Sequence, residues 1–123
     1  MLSKPSIIPL ASFTLSLFAT SAFAHAHLQK SMPAAAETVK TSPTEIRLKF
    51  SEGVEPRFSS IALTAQSGVS APTSKPSVDP ADNSVLIAPV PQALKPGVYK
   101  VTWHAVSTDT HKTEGVFTFT VAP

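Results

Sequence analysis

A short segment near the end of the chain carries two residue types that bind metal ions. In VSTDTHKTEG (106–115), Asp109 and His111 are separated by one residue. Side chains two residues apart in an extended chain project to the same side, so this pair offers a carboxylate oxygen and an imidazole nitrogen to one ion. The alternative is a polar turn in which Asp109 caps a bend and His111 is merely exposed.

A second pair of histidines stands directly behind a small-x-small triplet. His25 and His27 follow AFA (22–24), a triplet of the kind that signal peptidase cleaves after. Cleavage there would give His25 a free α-amine, whose pKa near 7.7 to 8 makes deprotonation at neutral pH cost only about 1 kcal/mol. The amine and ring Nδ1 of His25 can then close a chelate on one ion.

Together, His25, Asp109 and His111 would supply three nitrogens and one oxygen. That set suits a tetragonal Cu(II) ion, which also stands at the top of the divalent affinity series. Zn(II) prefers a tetrahedral shell and gains less from an amine. His27 offers a rival arrangement, in which the amine, two deprotonated amides and the His27 ring wrap Cu(II) or Ni(II). The two arrangements compete for the same amine.

Two further residues are weaker candidates. Glu52 stands at the end of the first clear strand, where a glutamate more often keeps the protein soluble than binds a metal. His104 shares its strand face with Lys100 and Thr102, which favours a solvent-facing position.

The first 24 residues have the features of a secretory signal. Lys4 and the amino terminus supply positive charge, and IIPLASFTLSLFATSAF (7–23) is apolar or small throughout. The alternative is a retained membrane anchor, but this run contains Pro9 and is at the short end for spanning a bilayer. We therefore predict a cleaved signal peptide over residues 1–24, one domain over 25–123, and export of the mature protein.

The composition excludes several classes of protein. The net charge is +2, with lysine and arginine scattered singly, so the sequence predicts no nucleic-acid partner. The chain has no cysteine, which excludes disulfides, thiolate metal sites and cysteine nucleophiles. No repeat or internal boundary divides residues 25–123, and we expect a monomer.

Alternating apolar residues predict a domain built from strands. The strongest patterns are EIRLKFSE (45–52), SIALTAQ (60–66), SVLIAPV (84–90), GVYKVTWHAVS (97–107) and GVFTFTVA (115–122). Half-buried antiparallel strands must pair face to face to cover their apolar sides. The sequence therefore predicts an all-β fold, a small Ig-like β-sandwich or Greek-key β-barrel of about seven strands. The polar segment 67–83 is predicted to be a long flexible loop.

Three segments together resemble the CopC family of periplasmic copper-binding proteins. They are HAHLQKSMPAAAETV at the predicted mature start, LKFSEGVEPRFSSIAL in the middle and LKPGVYKVTWHAVSTDTHKTEGVFTFTV at the end. The resemblance implies a seven-stranded Greek-key β-barrel that binds one Cu(II) per chain. It also implies that His25, Asp109 and His111 bind the ion, with Glu52 close to the site as in some relatives.

One feature differs from some members of that family, which carry a second, methionine-rich site for Cu(I) in the middle loop. This chain has two methionines, Met1 and Met32, and residues 67–83 contain neither methionine nor histidine. Because Cu(I) selects soft thioether ligands, we interpret the protein as one that binds Cu(II) only.

These observations favour a non-enzymatic Cu(II) carrier or buffer in copper tolerance or import. The resemblance to the family further implies an inner-membrane copper transport protein as partner. One alternative is a copper-dependent oxidative enzyme, because an N-terminal histidine chelate also serves polysaccharide oxygenases. Such enzymes need an open coordination position, which Asp109 would block. A second alternative is a metal-independent adhesion-type β-sandwich, which leaves the histidines behind AFA unexplained.

Overall fold

The computed structural model describes Ser3 and residues 26–123, and these residues form nine strands in two sheets. The strands are β1 (Leu28–Met32), β2 (Thr38–Val39), β3 (Glu45–Phe50), β4 (Ser60–Ala65), β5 (Ser70–Ala71), β6 (Ser77–Asp79), β7 (Asp82–Pro89), β8 (Gly97–Val106) and β9 (Lys112–Val121). A 3-10 turn at Pro56–Phe58 precedes β4. Seven strands have three or more residues, so the predicted all-β fold of about seven strands is confirmed.

Parts of the sequence prediction fall outside this region. His25 and the predicted signal peptide, apart from Ser3, are not among the described residues. In the part of the chain that is described, no helix is long and apolar enough to cross a membrane.

The two sheets enclose one hydrophobic core. The first has the strand order β1-β3-β7-β6 and the second β2-β9-β8-β4-β5. Neighbouring strands are antiparallel, except that β2 runs parallel to β9. In β3 the alternation that predicted a strand is observed directly, because Ile46, Leu48 and Phe50 are fully buried while the residues between them are half-buried. The core is therefore formed by the side chains that the period-two pattern selects.

The segment 67–83 is more ordered than its composition suggests. It contains β5 and β6, which are edge strands of the two sheets. Neither strand shows alternation, and each forms because a longer neighbour supplies its hydrogen-bonding partner: Val78, for example, pairs with Leu86 of β7. Arg47 Nη2 also donates to Asp79 Oδ2 at 2.8 Å and holds β6 against the sheet. The prediction of a long loop is therefore wrong.

One close contact fixes the β8–β9 hairpin, whose turn carries Asp109 and His111. Trp103 on β8 is buried and packs edge-on against Phe50, with ring centroids 5.1 Å apart. It lies opposite Gly115 on β9, and a Cβ atom at position 115 would stand 2.5 Å from Trp103 Cζ2. Only glycine leaves room here for the indole.

We expect Gly115→Ala to lower the free energy of unfolding by about 1–3 kcal/mol, because the added methyl must displace the Trp103 indole from its packing. Urea titration followed by Trp103 fluorescence measures this change. Val116→Ala is the matched control: Val116 is 60% exposed, and its truncation should change the free energy by no more than about 0.5 kcal/mol. Wild-type stability in Gly115→Ala would contradict the described packing.

A charged cluster joins β3 to β7. The Asp82 carboxylate accepts hydrogen bonds from the hydroxyl and the backbone N–H of Ser84, and its Oδ2 lies 3.2 Å from Lys49 Nζ. These interactions, with those from Ser84 the strongest, lower the pKa of Asp82 to about 2. The fold therefore favours the ionised form of this carboxyl group.

Because the folded-state pKa of Asp82 is depressed, its contribution to stability is present above about pH 4 and is lost as the pH falls through about 2. We expect Asp82→Asn to lower the Tm at pH 7, and this difference from wild type to shrink as the pH is lowered from about 4 to 2. Thermal unfolding followed by circular dichroism measures both values. A Tm difference that is independent of pH would show that the charge of Asp82 is not the cause.

Candidate metal centre

The segment joining β8 to β9 is a tight turn held by its own hydrogen bonds. The Ser107 N–H donates to the His111 carbonyl at 2.9 Å, and the Thr110 N–H donates to the Ser107 carbonyl at 2.8 Å. Thr110 has a φ of 74°, in the left-handed region that is unfavourable for a β-branched residue. The turn is therefore a defined conformation that the surrounding hairpin maintains.

Asp109 and His111, the two ligands predicted in this segment, face each other. Asp109 Oδ2 lies 3.1 Å from His111 Nδ1, a nitrogen that is inaccessible to solvent. Oδ1 accepts from the Ser107 hydroxyl and, at 3.4 Å, from the His111 N–H. The spacing of Oδ2 and Nδ1 is close to that of two neighbouring ligands of one metal ion, so an ion bound by both side chains would lie between these atoms and replace their contact.

The charge of this pair suits a divalent cation. The hydrogen bond from the Ser107 hydroxyl, followed by that from the His111 side chain, lowers the pKa of Asp109, so the carboxylate is ionised at neutral pH. The side chains of Asp109 and His111 are 39% and 43% exposed, so an ion can reach them from solvent.

Sequence analysis did not single out Ser107, which is fully buried. The only signal for it in the sequence is its position two residues before Asp109.

The beginning of the domain lies beside the same turn. The Thr113 hydroxyl, on β9, donates to the Ala26 carbonyl at 2.9 Å. The His27 N–H donates to Ser51 Oγ at 2.9 Å, and its carbonyl accepts from the Ser51 N–H at 2.8 Å. The Ala26 side chain is fully buried in the core. These contacts hold residue 26 next to a residue only two positions beyond His111.

Glu52 lies in a segment that contacts both the start of the described domain and the Asp109–His111 turn. The preceding residue, Ser51, pairs with His27, and the following residue, Gly53, accepts a hydrogen bond from the Thr108 N–H at 3.0 Å. Glu52 itself is half-buried. The structure therefore places Glu52 between the start of the domain and the Asp109–His111 turn.

The remaining histidines lie differently. His27 is an exposed residue. His104 faces solvent as expected, with its side chain 56% exposed and its Nε2 3.0 Å from Glu114 Oε2 on the neighbouring strand. Among residues 26–123, no group of three or more histidine, aspartate or glutamate side chains is arranged to hold a metal ion. The described part of the chain thus brings together two ligands of the predicted set, and His25 lies outside it.

Comparison with known proteins supports the same interpretation of the fold. The sequence model of the CopC domain matches residues 28–122. The crystal structure of PcoC, a methionine-rich copper resistance protein from Escherichia coli, resembles this structure with a TM-score of 0.72 at 36% identity. That similarity covers 80% of this chain and 100% of the PcoC chain.

Two curated relatives extend the comparison. Protein YobA of Escherichia coli strain K12 is 45% identical over 112 residues, which cover 91% of this chain and 90% of that protein. Copper transport protein CutJ of Bacillus subtilis strain 168 is 32% identical over 99 residues, which cover 80% of this chain but 18% of CutJ. The family model matches almost the whole described domain, and a copper resistance protein shares its fold. The chain therefore belongs to the CopC family of copper resistance and copper transport proteins.

Proposed function

We propose that this protein is a non-enzymatic periplasmic carrier or buffer of Cu(II) that binds one ion per chain at its mature amino terminus. The observation that carries the proposal is the anchoring of Ala26 beside the Asp109–His111 turn. In this proposal the signal peptide, residues 1–24, is removed, and residues 25–123 form the copper-binding domain.

Chain connectivity supports the participation of His25. Residue 25 is joined to Ala26 by a peptide bond, so their Cα atoms are about 3.8 Å apart. Ala26 is hydrogen-bonded to Thr113, and Thr113 is two residues from His111. Cleavage after Ala24 would therefore create an α-amine close to the turn, where it can join the His25 ring, Asp109 and His111 around one ion.

The ligand chemistry favours Cu(II). Amine, imidazole and carboxylate donors in a tetragonal arrangement are typical of Cu(II) sites. Asp109 can bind the ion through Oδ2 while Oδ1 keeps its hydrogen bonds from the Ser107 hydroxyl and the His111 N–H. Glu52, half-buried beside the turn, is proposed as an additional oxygen near the ion. The backbone of His27 pairs with Ser51, which supports a position outside the ligand set.

The comparison with CutJ supports a partner. A segment similar to this chain makes up 18% of that longer copper transport protein. We therefore propose an inner-membrane copper transport protein as the protein to which copper is delivered or from which it is received.

The alternative of a copper-dependent oxidative enzyme is disfavoured by the position of Asp109. Its ionised carboxylate lies 3.1 Å from the His111 ring and would compete with an oxygen molecule for a coordination position. No observation on the described residues favours the adhesion-type alternative, which assigns no role to the Asp109–His111 pair.

We expect His111→Ala and Asp109→Ala each to lower the Cu(II) affinity by about 10²-fold or more, because each removes a donor from an assembled site. Competition against a coloured chelator measures the affinity. Quenching of Trp103, which lies on the strand leading into the turn, should report the stoichiometry as a break at one equivalent. Bound copper should also raise the Tm of the wild type, because the assembled site exists only in the folded state.

His27→Ala is the matched control, since it removes a histidine from the same region without touching the proposed ligands. It should leave affinity, spectrum and the copper-dependent rise in Tm nearly unchanged. Loss of binding in His27→Ala together with wild-type binding in His111→Ala would overturn the ligand assignment.

The proposed role of the amine gives a separate prediction. A protein carrying one extra glycine before His25 should bind Cu(II) at least about 10²-fold more weakly, because a peptide nitrogen replaces the amine donor. Amino-terminal sequencing of the exported protein establishes the natural start, and the same competition titration compares the two forms. Equal affinities would exclude the amine as a ligand.

A further inference from the structure

The first three residues of the proposed mature chain can bind metal in a second way. In a flexible chain beginning His25-Ala26-His27, the ion is held by the amine, the amide nitrogens of residues 26 and 27, and the His27 ring. Both amides release their protons to water as the ion binds. Square-planar nitrogen coordination of this kind is favoured by Ni(II) as well as Cu(II). We call it the tail chelate.

The folded structure engages one nitrogen that the tail chelate needs, that of His27, and the backbone next to it. The His27 N–H donates to Ser51 Oγ at 2.9 Å, and the His27 carbonyl accepts from the Ser51 N–H. The Ala26 carbonyl accepts from the Thr113 hydroxyl at 2.9 Å, while its methyl group is fully buried. Residues 26 and 27 are therefore held in place, residue 26 by Thr113 on β9 and residue 27 by Ser51, which directly follows β3.

These contacts are incompatible with the tail chelate. The His27 nitrogen would have to exchange its proton for the ion, so the ion would occupy the direction in which Ser51 Oγ now lies. The peptide group between residues 26 and 27 would also have to lie in the plane of the ion, yet its carbonyl is held by Thr113 and the adjoining Ala26 methyl is buried in the core. The site that includes Asp109 and His111 needs no amide nitrogen, so the same contacts leave it intact.

We propose that Ser51 and Thr113 form a clamp that sets the metal selectivity of the protein by denying Ni(II) the tail chelate. This inference rests on the proposed mature start at His25. Without the tail chelate, binding is left to amine, imidazole and carboxylate donors, for which Cu(II) has a higher intrinsic affinity than Ni(II). Ser51 and Thr113 are thus positioning residues that act through the backbone of residues 26 and 27.

The experiment titrates the mature protein with Ni(II) alone and records the yellow absorbance of a square-planar nitrogen complex. The folded wild type should bind Ni(II) weakly and without this band. Ser51→Ala and Thr113→Val should each raise the apparent Ni(II) affinity about three- to tenfold, as expected for the loss of one opposing hydrogen bond, and should show the yellow band. Two independent variants are used so that a folding defect in one leaves the other informative.

Three controls separate the clamp from other causes. Ser51→Thr and Thr113→Ser keep the hydroxyl groups and should behave like the wild type. Adding His27→Ala to Ser51→Ala should abolish the yellow complex, because the tail chelate loses its ring donor. The wild type unfolded in urea should form the yellow complex, which shows that the sequence is able to bind Ni(II) and that the fold opposes it.

The proposal is overturned if the folded wild type binds Ni(II) in the yellow complex as tightly as the unfolded chain does. It is equally overturned if neither Ser51→Ala nor Thr113→Val gains affinity, or if no yellow complex forms even in urea, since there would then be no tail chelate to suppress. Failure of the Cu(II) ligand assignment is recognised separately, by wild-type Cu(II) affinity in His111→Ala, and leaves these Ni(II) measurements unchanged.

Discussion

The proposed site depends on one constraint, which is that residues 26 and 27 are tied to the rest of the fold, residue 26 to the last hairpin. A chain terminus is disordered unless buried groups or hydrogen bonds hold it. Here the Ala26 methyl is buried in the core, and the adjoining backbone is bonded to Ser51 and Thr113. The entropy lost in ordering residues 26 and 27 is offset by contacts that the fold supplies, and residue 26 is left beside the Asp109–His111 turn.

The turn itself is ordered by its own hydrogen bonds. Ser107 donates its hydroxyl to the Asp109 carboxylate and its N–H to the His111 carbonyl, so the carboxylate and the imidazole already face each other. Preorganisation of this kind lowers the entropy lost on binding. At the same time the two side chains remain about two-fifths exposed, so an ion bound at the proposed site would be accessible to the proposed partner. An ordered but open site of this kind suits the proposed carrier.

Members of one family can share a fold and differ in metal chemistry, because function resides in the site and not in the architecture. PcoC, which has the same fold, is described as methionine-rich, whereas this chain contains two methionines. Met32, at the end of β1, is 55% exposed and offers a single thioether. The structure instead brings together a carboxylate and an imidazole. These donors suit Cu(II) better than Cu(I), which selects soft ligands such as thioethers.

The sequence by itself determined the β fold and the Asp109–His111 pair, because both depend on spacing within a short stretch of chain. The period-two pattern in 45–50 and 97–106 specified which side chains enter the core. Only the tertiary structure revealed β5, β6 and the contacts of Ser51 and Thr113. Ser51 contacts His27 across 24 residues of sequence and Thr113 contacts Ala26 across 87, and no local pattern encodes a hydrogen bond whose partners are that far apart along the chain.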